Sequence, residues 1–338
     1  MTSTTPRAAI VGAGISGLKA AEVLQASGSW SVHVFDKARG VGGRTSLRRN
    51  DPHAFDHGAQ YFTARDEGFR AQVEQWIADG IAARFEGPLA AIPTPGQVEF
   101  RESDSTERFV GVPGMNAMAK SMAKGLQLTT RARVASIEPA STDENGRWEL
   151  RFMDGHVERG FDVVLVTTPA AQAAPLVAAS DKLREAADAV TMTPCWAVMA
   201  AFCERFDVPF DGAFIDSGPL SWACRNSAKV GRPDGEAWVL HGTPEWTAAH
   251  LEAEPGDVAR QLVSALAEAA GHPTPATVHT GAHRWMYSGA ESPRTDGALY
   301  DPALGLGLAG DWLNGSKVQG AWLSGQALAD EVLATTEA

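Results

Sequence analysis

The chain has 338 residues, 44% of them hydrophobic and 21% charged, a composition that excludes disordered and fibrous proteins. Basic residues number 29 against 41 acidic ones, so the net charge is −12. That balance argues against nucleic acid or an anionic membrane as partner, since both need a positive footprint, yet it permits an anionic small ligand. The length predicts about two domains. Three cysteines, Cys195, Cys203 and Cys224, are too few for a disulfide framework and form no CxxC pair. The N-terminal segment has no charged-then-apolar export signal, and no run of 18 apolar residues occurs, so a cytoplasmic protein is expected.

Residues Ala8 to Val11 form a short apolar run that enters Gly12-Ala13-Gly14-Ile15-Ser16-Gly17. Leu18 to Ala26 has helical composition, and Ser31 to Phe35 reads as a strand ending at Asp36. Strand, glycine turn, helix, strand and acid in this order make a dinucleotide-binding fingerprint. Gly12 permits the tight turn, Gly14 lets a pyrophosphate approach, and Gly17 allows close packing. Asp36 is placed to accept hydrogen bonds from a ribose.

Arg39-Gly40-Val41-Gly42-Gly43-Arg44 follows at once, bringing bare backbone and positive charge to the same ligand. This arrangement resembles the GG segment of the flavin amine oxidases, where it belongs to an FAD domain. Asp56 to Thr63 (DHGAQYFT) reads as a turn and a short aromatic strand. In that superfamily the matching loop passes the flavin ring.

Further along, Phe161 to Thr168 is expected to be one buried strand, stopped by Pro169. Residues 305–309 read as another, ending at Gly310-Asp311, and a helix is predicted over 318–333. Between them, 193–202, 219–224 and 236–243 read as strands, and Thr247–Glu254 and Asp257–Ala270 as helices. Seven of the ten tryptophans fall between Trp196 and Trp322, which predicts an aromatic roof for a flat substrate. His241, at a strand end, is either a pocket residue or a structural histidine. No metal-ligand spacing or nucleophile motif is visible.

Taken together, FDKARGVGGR (35–44), GAQYFTARD (58–66), FVGVPGM (109–115), RNSAKVGR (225–232), WVLH (238–241), HRW (283–285), GDW (310–312) and VQGAWLSGQ (318–326) resemble the bacterial renalases. These are a branch of the amine-oxidase-like flavoproteins. The resemblance implies an α/β fold of the p-hydroxybenzoate-hydroxylase type, with an FAD-binding Rossmann-like domain and a mixed α+β substrate domain over the flavin. The FAD domain is expected from 1–65, 105–178 and 282–338, and the substrate domain from 66–104 and 179–281. It also implies non-covalent FAD and oxidation of the 2- and 6-dihydro isomers of NAD(P), with O₂ reduced to H₂O₂. No acid–base residue is expected, because flavin N5 accepts the hydride and the task is positioning.

By residue, Ile15, Asp36, Arg44, Gln60, Tyr61, Val134, Asp311 and Val318 match FAD contacts. The fingerprint adds Gly12, Gly14, Ser16 and Gly17, and Lys37 follows Asp36. Tyr61, Phe62, Thr63 and Arg65 match the loop that borders substrate, while Cys195, His241 and Lys317 are expected wall residues. The last helix should present its N-terminus to the flavin, with Gly310-Asp311 at the ribityl chain and phosphates. Two positions depart from the family: Gln319 replaces a glutamate, and Phe109 replaces a tryptophan. The competing readings are an oxidase of primary amines or polyamines, a silent or non-redox FAD protein, and a plain NAD dehydrogenase, which would leave the GG and GD segments unexplained.

Overall fold

The computed structural model describes residues 5–100, 106–140 and 146–336. Contacts divide the chain into two compact units, the first made of 1–44, 118–192 and 289–338, the second of 45–117 and 193–288. Both units are discontinuous, and their boundaries differ from those of the expected domains. Residues 45–65, 105–117 and 282–288, assigned by sequence to the first domain, belong to the second unit, whereas 179–192 belong to the first. The physical reason for the shift at 282 is one uninterrupted strand, Thr277–Ala290, which joins the sheet of the second unit.

In the first unit, six strands run in the order Leu299–Asp301, Leu306–Leu308, Val163–Val166, Arg7–Val11, Ser31–Phe35 and Gln127–Thr129. All pair in parallel except the first, which is antiparallel to its neighbour. Such strands are covered on both faces, and their apolar runs are accordingly buried. The run 161–168 is shorter than expected. Val157–Phe161 belongs to a separate three-stranded antiparallel sheet with Val134–Pro139 and Trp148–Phe152. At the break, the Asp162 carboxylate accepts the Arg7 backbone N–H at 2.8 Å.

Two helices of this unit, Ile15–Ala26 and Val318–Thr336, lie together. Gly325 permits their approach, since a Cβ there would stand 2.1 Å from the Ser16 carbonyl oxygen.

The second unit carries a seven-stranded sheet: Thr277–Ala290, Met192–Phe202, Glu236–Gly242, Leu220–Arg225, Gly212–Ile215, Leu89–Ile92 and Glu99–Phe100. The helix Pro255–Ala270 covers it, starting with proline in its first turn and closed by Gly271 at φ +70°. The helix expected at 247–254 lies instead at Pro244–Ala249. Thr243 caps it by accepting the Trp246 N–H at 3.1 Å, and Pro244 follows the cap, so the chain turns helical three residues early. Helix Glu67–Ala78, unforeseen, is capped by Asp66, which accepts the Phe69 N–H at 2.9 Å.

Most of the tryptophans from Trp196 to Trp322 are buried within one unit or the other. Trp196 and Trp238 are core residues of the second unit, and Trp246 stacks on His250. Trp312 and Trp322 are buried in the first unit, where the Trp312 indole donates to the Thr168 carbonyl at 3.1 Å. Packing a wide core claimed most of these rings. No described helix is long and apolar enough to cross a membrane.

Candidate active site

The first unit builds a cradle from two glycine segments. Gly12 has φ +116°, a conformation that side chains rarely adopt, and its N–H donates to the Phe35 carbonyl at 2.8 Å. A Cβ on Gly17 would lie 2.0 Å from the Gly12 carbonyl oxygen, so the loop closes on itself there. Gly14, at the head of the helix, has nothing within 4 Å of where a Cβ would stand. The second segment rests on the first: Gly42 donates to the Ala13 carbonyl at 2.8 Å.

Asp36 does more than wait for a ribose. Its Oδ2 accepts the Ala13 N–H at 2.6 Å and its Oδ1 the Ala38 N–H at 2.7 Å, which ties both segments to the end of the second strand. A carboxylate has about four acceptor sites, so capacity for ribose hydroxyls remains. Arg44 and Asp311, expected as separate ligands, form a bidentate pair at 3.0 and 2.6 Å that joins the two ends of the chain. Val134 is buried at a bulge of the three-stranded sheet. Val318 opens the last helix, Lys317 is exposed just before it, and Lys37 is exposed beside Asp36. Ile15 is buried.

A dinucleotide fits this arrangement. The helix at Ile15 begins with unpaired backbone donors that favour a phosphate, and Gly14 leaves room for one. The Ser16 hydroxyl, buried at the same turn, has no hydrogen-bond partner among the described residues. An orphaned buried hydroxyl is costly unless a ligand satisfies it.

In the second unit, Asp56 is the centre of a buried charge knot. Its Oδ2 lies 3.3 Å from Lys229 Nζ and 3.1 Å from Arg232 Nε, and a second Arg232 nitrogen also donates to it. Lys229 further donates to Gln60 Oε1 at 3.1 Å and Asn226 Oδ1 at 3.2 Å, and Met115 N–H donates to Asp56 at 2.9 Å. Burial would raise the Asp56 carboxyl, but Lys229, Arg232 and the Met115 N–H outweigh it and hold the pKa below its ordinary value. The Gln60 amide also donates to the Asp56 and Gly58 carbonyls. This side chain, expected at the cofactor, is therefore spent within its own unit.

Phe62 is likewise corrected. It is 3% exposed, and its ring meets Phe69 and Phe109 in the core. Alternation along an extended chain sends adjacent side chains to opposite sides, so Tyr61 faces away from that core. Tyr61 is half-buried, 5.5 Å from the Trp222 ring; Thr63 is half-buried and Arg65 exposed. Cys195 is buried, and burial pushes its thiol up to about 12, which rules out a thiolate nucleophile.

Beside this knot lies a group of rings that sequence reasoning largely missed. His57 stacks on Trp285 at 5.1 Å and meets His283 edge-on at 5.0 Å, while the Trp285 indole donates to the His57 carbonyl at 2.8 Å. His283 and Trp285 are two residues apart on one strand, hence on one face, and that spacing was the available signal. His241 sits opposite Trp222 in the strand pairing.

Desolvation, then His283 and Arg48, push His57 down to about 3. Desolvation and Lys229 push His241 down to about 4, against a hydrogen bond with the His57 backbone. Both imidazoles are neutral at pH 7. His57 Nδ1, His241 Nε2 and Trp222 Nε1 are buried without a hydrogen-bond partner among the described residues. No group of three His, Cys, Asp or Glu among those residues is arranged to hold a metal.

The fold and the glycine cradle define a two-unit dinucleotide-binding oxidoreductase. Residues 10–75 match the profile described as NAD(P)-binding Rossmann-like domain, and residues 82–333 match flavin containing amine oxidoreductase. The chain belongs to this flavin amine oxidase family, and FAD is its cofactor. Among solved structures, it is similar to a protein of Exiguobacterium sp. 255-15 provisionally described as protoporphyrinogen oxidase. That match has a TM-score of 0.77 and 14% identity, covering 99% of this chain and 100% of the other. It is also similar to putrescine oxidase with putrescine bound, at TM-score 0.69 and 16% identity, covering 97% and 99%. At such identities the likeness speaks for the fold alone.

Proposed function

We propose that the protein is an FAD-dependent oxidase of isomeric dihydronicotinamides, converting the 2- and 6-dihydro forms of NAD(P) to NAD(P)⁺. The observation that carries this reading is the set of unpaired, neutral ring nitrogens at His57, His241 and Trp222. A dihydronicotinamide is a flat, uncharged ring whose carboxamide both donates and accepts. Neutral imidazoles also do both, and an indole N–H donates.

A cationic amine asks for the opposite surroundings, a carboxylate or an open aromatic cage. The charges that lower these histidines are Arg48 and Lys229, and Asp56 is held between two cations. A positive field suits the pyrophosphate of a dinucleotide.

In this reading Gly12, Gly14, Ile15, Ser16 and Gly17 hold the cofactor's pyrophosphate, Asp36 its ribose and Val134 its adenine. Lys37, the Arg44–Asp311 pair and Val318 border the rest. When bound, FAD supplies the hydride acceptor and the route of two electrons to O₂. Tyr61 offers the substrate a flat face, and Thr63, Arg65 and Cys195 complete the expected surroundings. His57 and His241 orient the carboxamide without giving or taking a proton. Overall, dihydro-NAD(P), O₂ and one proton yield NAD(P)⁺ and H₂O₂.

Oxygen uptake by the purified protein tests this. The 6-dihydro isomer of NAD should drive one H₂O₂ per NAD⁺ formed, and ordinary NADH and putrescine should drive almost none. Uptake with putrescine and not with the isomer would replace this reading with a polyamine oxidase.

A further inference from the structure

The second unit contains a cavity of about 440 Å³ whose lining includes Phe85, Arg108, Phe214 and Asp216. Its volume falls in the range of about 300–1,000 Å³ common for small-molecule sites. Gly87 keeps one wall thin, since a Cβ there would stand 2.8 Å from Asp211 Cβ and 3.0 Å from the Phe85 ring. Two partly exposed phenylalanines, a guanidinium and a carboxylate thus share one hollow.

The hollow is connected to the histidine group by touching rings. Trp222, opposite His241, meets the Phe214 ring edge-on at 4.7 Å, with 63° between the planes, and the Tyr61 ring at 5.5 Å. The Arg108 guanidinium lies 5.4 Å from the Tyr61 ring centre, with one nitrogen donating to the Thr106 carbonyl at 3.1 Å. Next to it, Arg70 and Arg84 both pair with Glu107, and Arg70 also with Glu74, which leaves Arg108 as the guanidinium that lines the hollow.

We propose that this cavity binds the adenylate half of the dinucleotide substrate, an inference that rests on the function proposed above. Purines stack on aromatic faces whatever their edge pattern, which Phe85 and Phe214 provide. A guanidinium recognises phosphate oxygens in a fixed fork geometry, and the Asp216 carboxylate accepts from the adenine amino group or a ribose hydroxyl. The nicotinamide half then falls at the unpaired nitrogens of His57, His241 and Trp222, one substrate spanning both places.

The test uses the FAD-loaded protein, so that the cofactor cradle is filled, and ADP as the probe. Calorimetry should show ADP binding, and ADP should compete with the 6-dihydro isomer of NAD. Phe214→Ala, at a partly exposed ring, should weaken ADP about tenfold, and Asp216→Asn should weaken it less. Phe214→Ala should also raise the KM of the dinucleotide relative to that of the corresponding dihydronicotinamide mononucleotide, which lacks the adenylate. Thermal melts establish that each variant is folded.

ADP that fails to bind the loaded protein, or binds wild type and Phe214→Ala equally, overturns the assignment. ADP binding that Phe214→Ala weakens, on a protein that oxidises no dihydronicotinamide, leaves the cavity standing as a nucleotide site and removes the function. Oxidation without ADP binding does the reverse.

Discussion

The glycine loop at Gly12–Gly17 and the knot around Asp56 both hold polar groups out of water, and they differ in how. In the loop, the donors are backbone N–H groups and one hydroxyl, and the Asp36 carboxylate braces the turn through Ala13 and Ala38. Polar capacity is left over there for a ligand. In the knot, Asp56 meets Lys229 and Arg232, and Gln60 and Asn226 take up the remaining ammonium hydrogens. What the knot leaves over is charge, one carboxylate against two cations, and Lys229 adds to the burial that lowers His241. One region leaves its polar groups open and the other pairs them within the fold.

That contrast breaks most severely at Asp56. Asp56→Ala leaves a lysine and an arginine buried without their anion, a loss of about 3–5 kcal/mol. Urea unfolding should show it, whereas Asp36→Ala should cost less stability and weaken FAD by roughly tenfold to a hundredfold. Equal stability losses for the two would erase the distinction.

The next test separates neighbours in one loop. Phe62→Ala removes a core ring and should cost about 3–5 kcal/mol, with FAD affinity falling only as far as folding does. Tyr61→Ala should leave the melting temperature nearly unchanged and slow substrate oxidation. Reversed effects would restore Phe62 to the site.

Two glycines in the cradle sharpen the picture further. Gly17→Ala must push the Gly12 carbonyl aside and should destabilise the apoprotein itself. Gly14→Ala meets nothing in the apoprotein, so it should fold normally and lose FAD affinity by about tenfold or more. An apoprotein destabilised by Gly14→Ala would contradict the open space in front of that residue.

A further effect is on pH dependence. Unfolded His57 takes up a proton below about pH 6.5, while the folded one does so only near 3. Its contribution to stability is therefore complete above pH 6.5 and falls as the pH drops from there toward 3. His57→Phe should flatten the stability profile across that window, and an unchanged slope would mean that the imidazole is already charged.

The sequence reveals these two regions unequally. The cradle was legible because Gly12, Gly14, Gly17 and Asp36 lie within 25 residues and their spacing is set by local backbone geometry. The knot was not, because Asp56 and Lys229 stand 173 residues apart and only the fold brings them together. Phe62 was misplaced for a related reason: a loop sequence does not say which side chains turn inward. The tryptophans misled because large rings serve a core as readily as a pocket. His57 and Trp285 were missed because their stacking joins a loop to a strand 228 residues away.

The central claim is that the neutral, cation-biased group at His57 and His241 selects a dihydronicotinamide over an amine. Anaerobic stopped-flow mixing of the FAD-loaded protein measures this without the oxygen half of the reaction. The account predicts that 6-dihydro-NAD abolishes the visible flavin absorbance within one rapid phase, and that this phase slows in His241→Ala. It predicts no comparable change with putrescine or other primary amines. Faster bleaching by an amine than by the dihydronicotinamide isomers would contradict it.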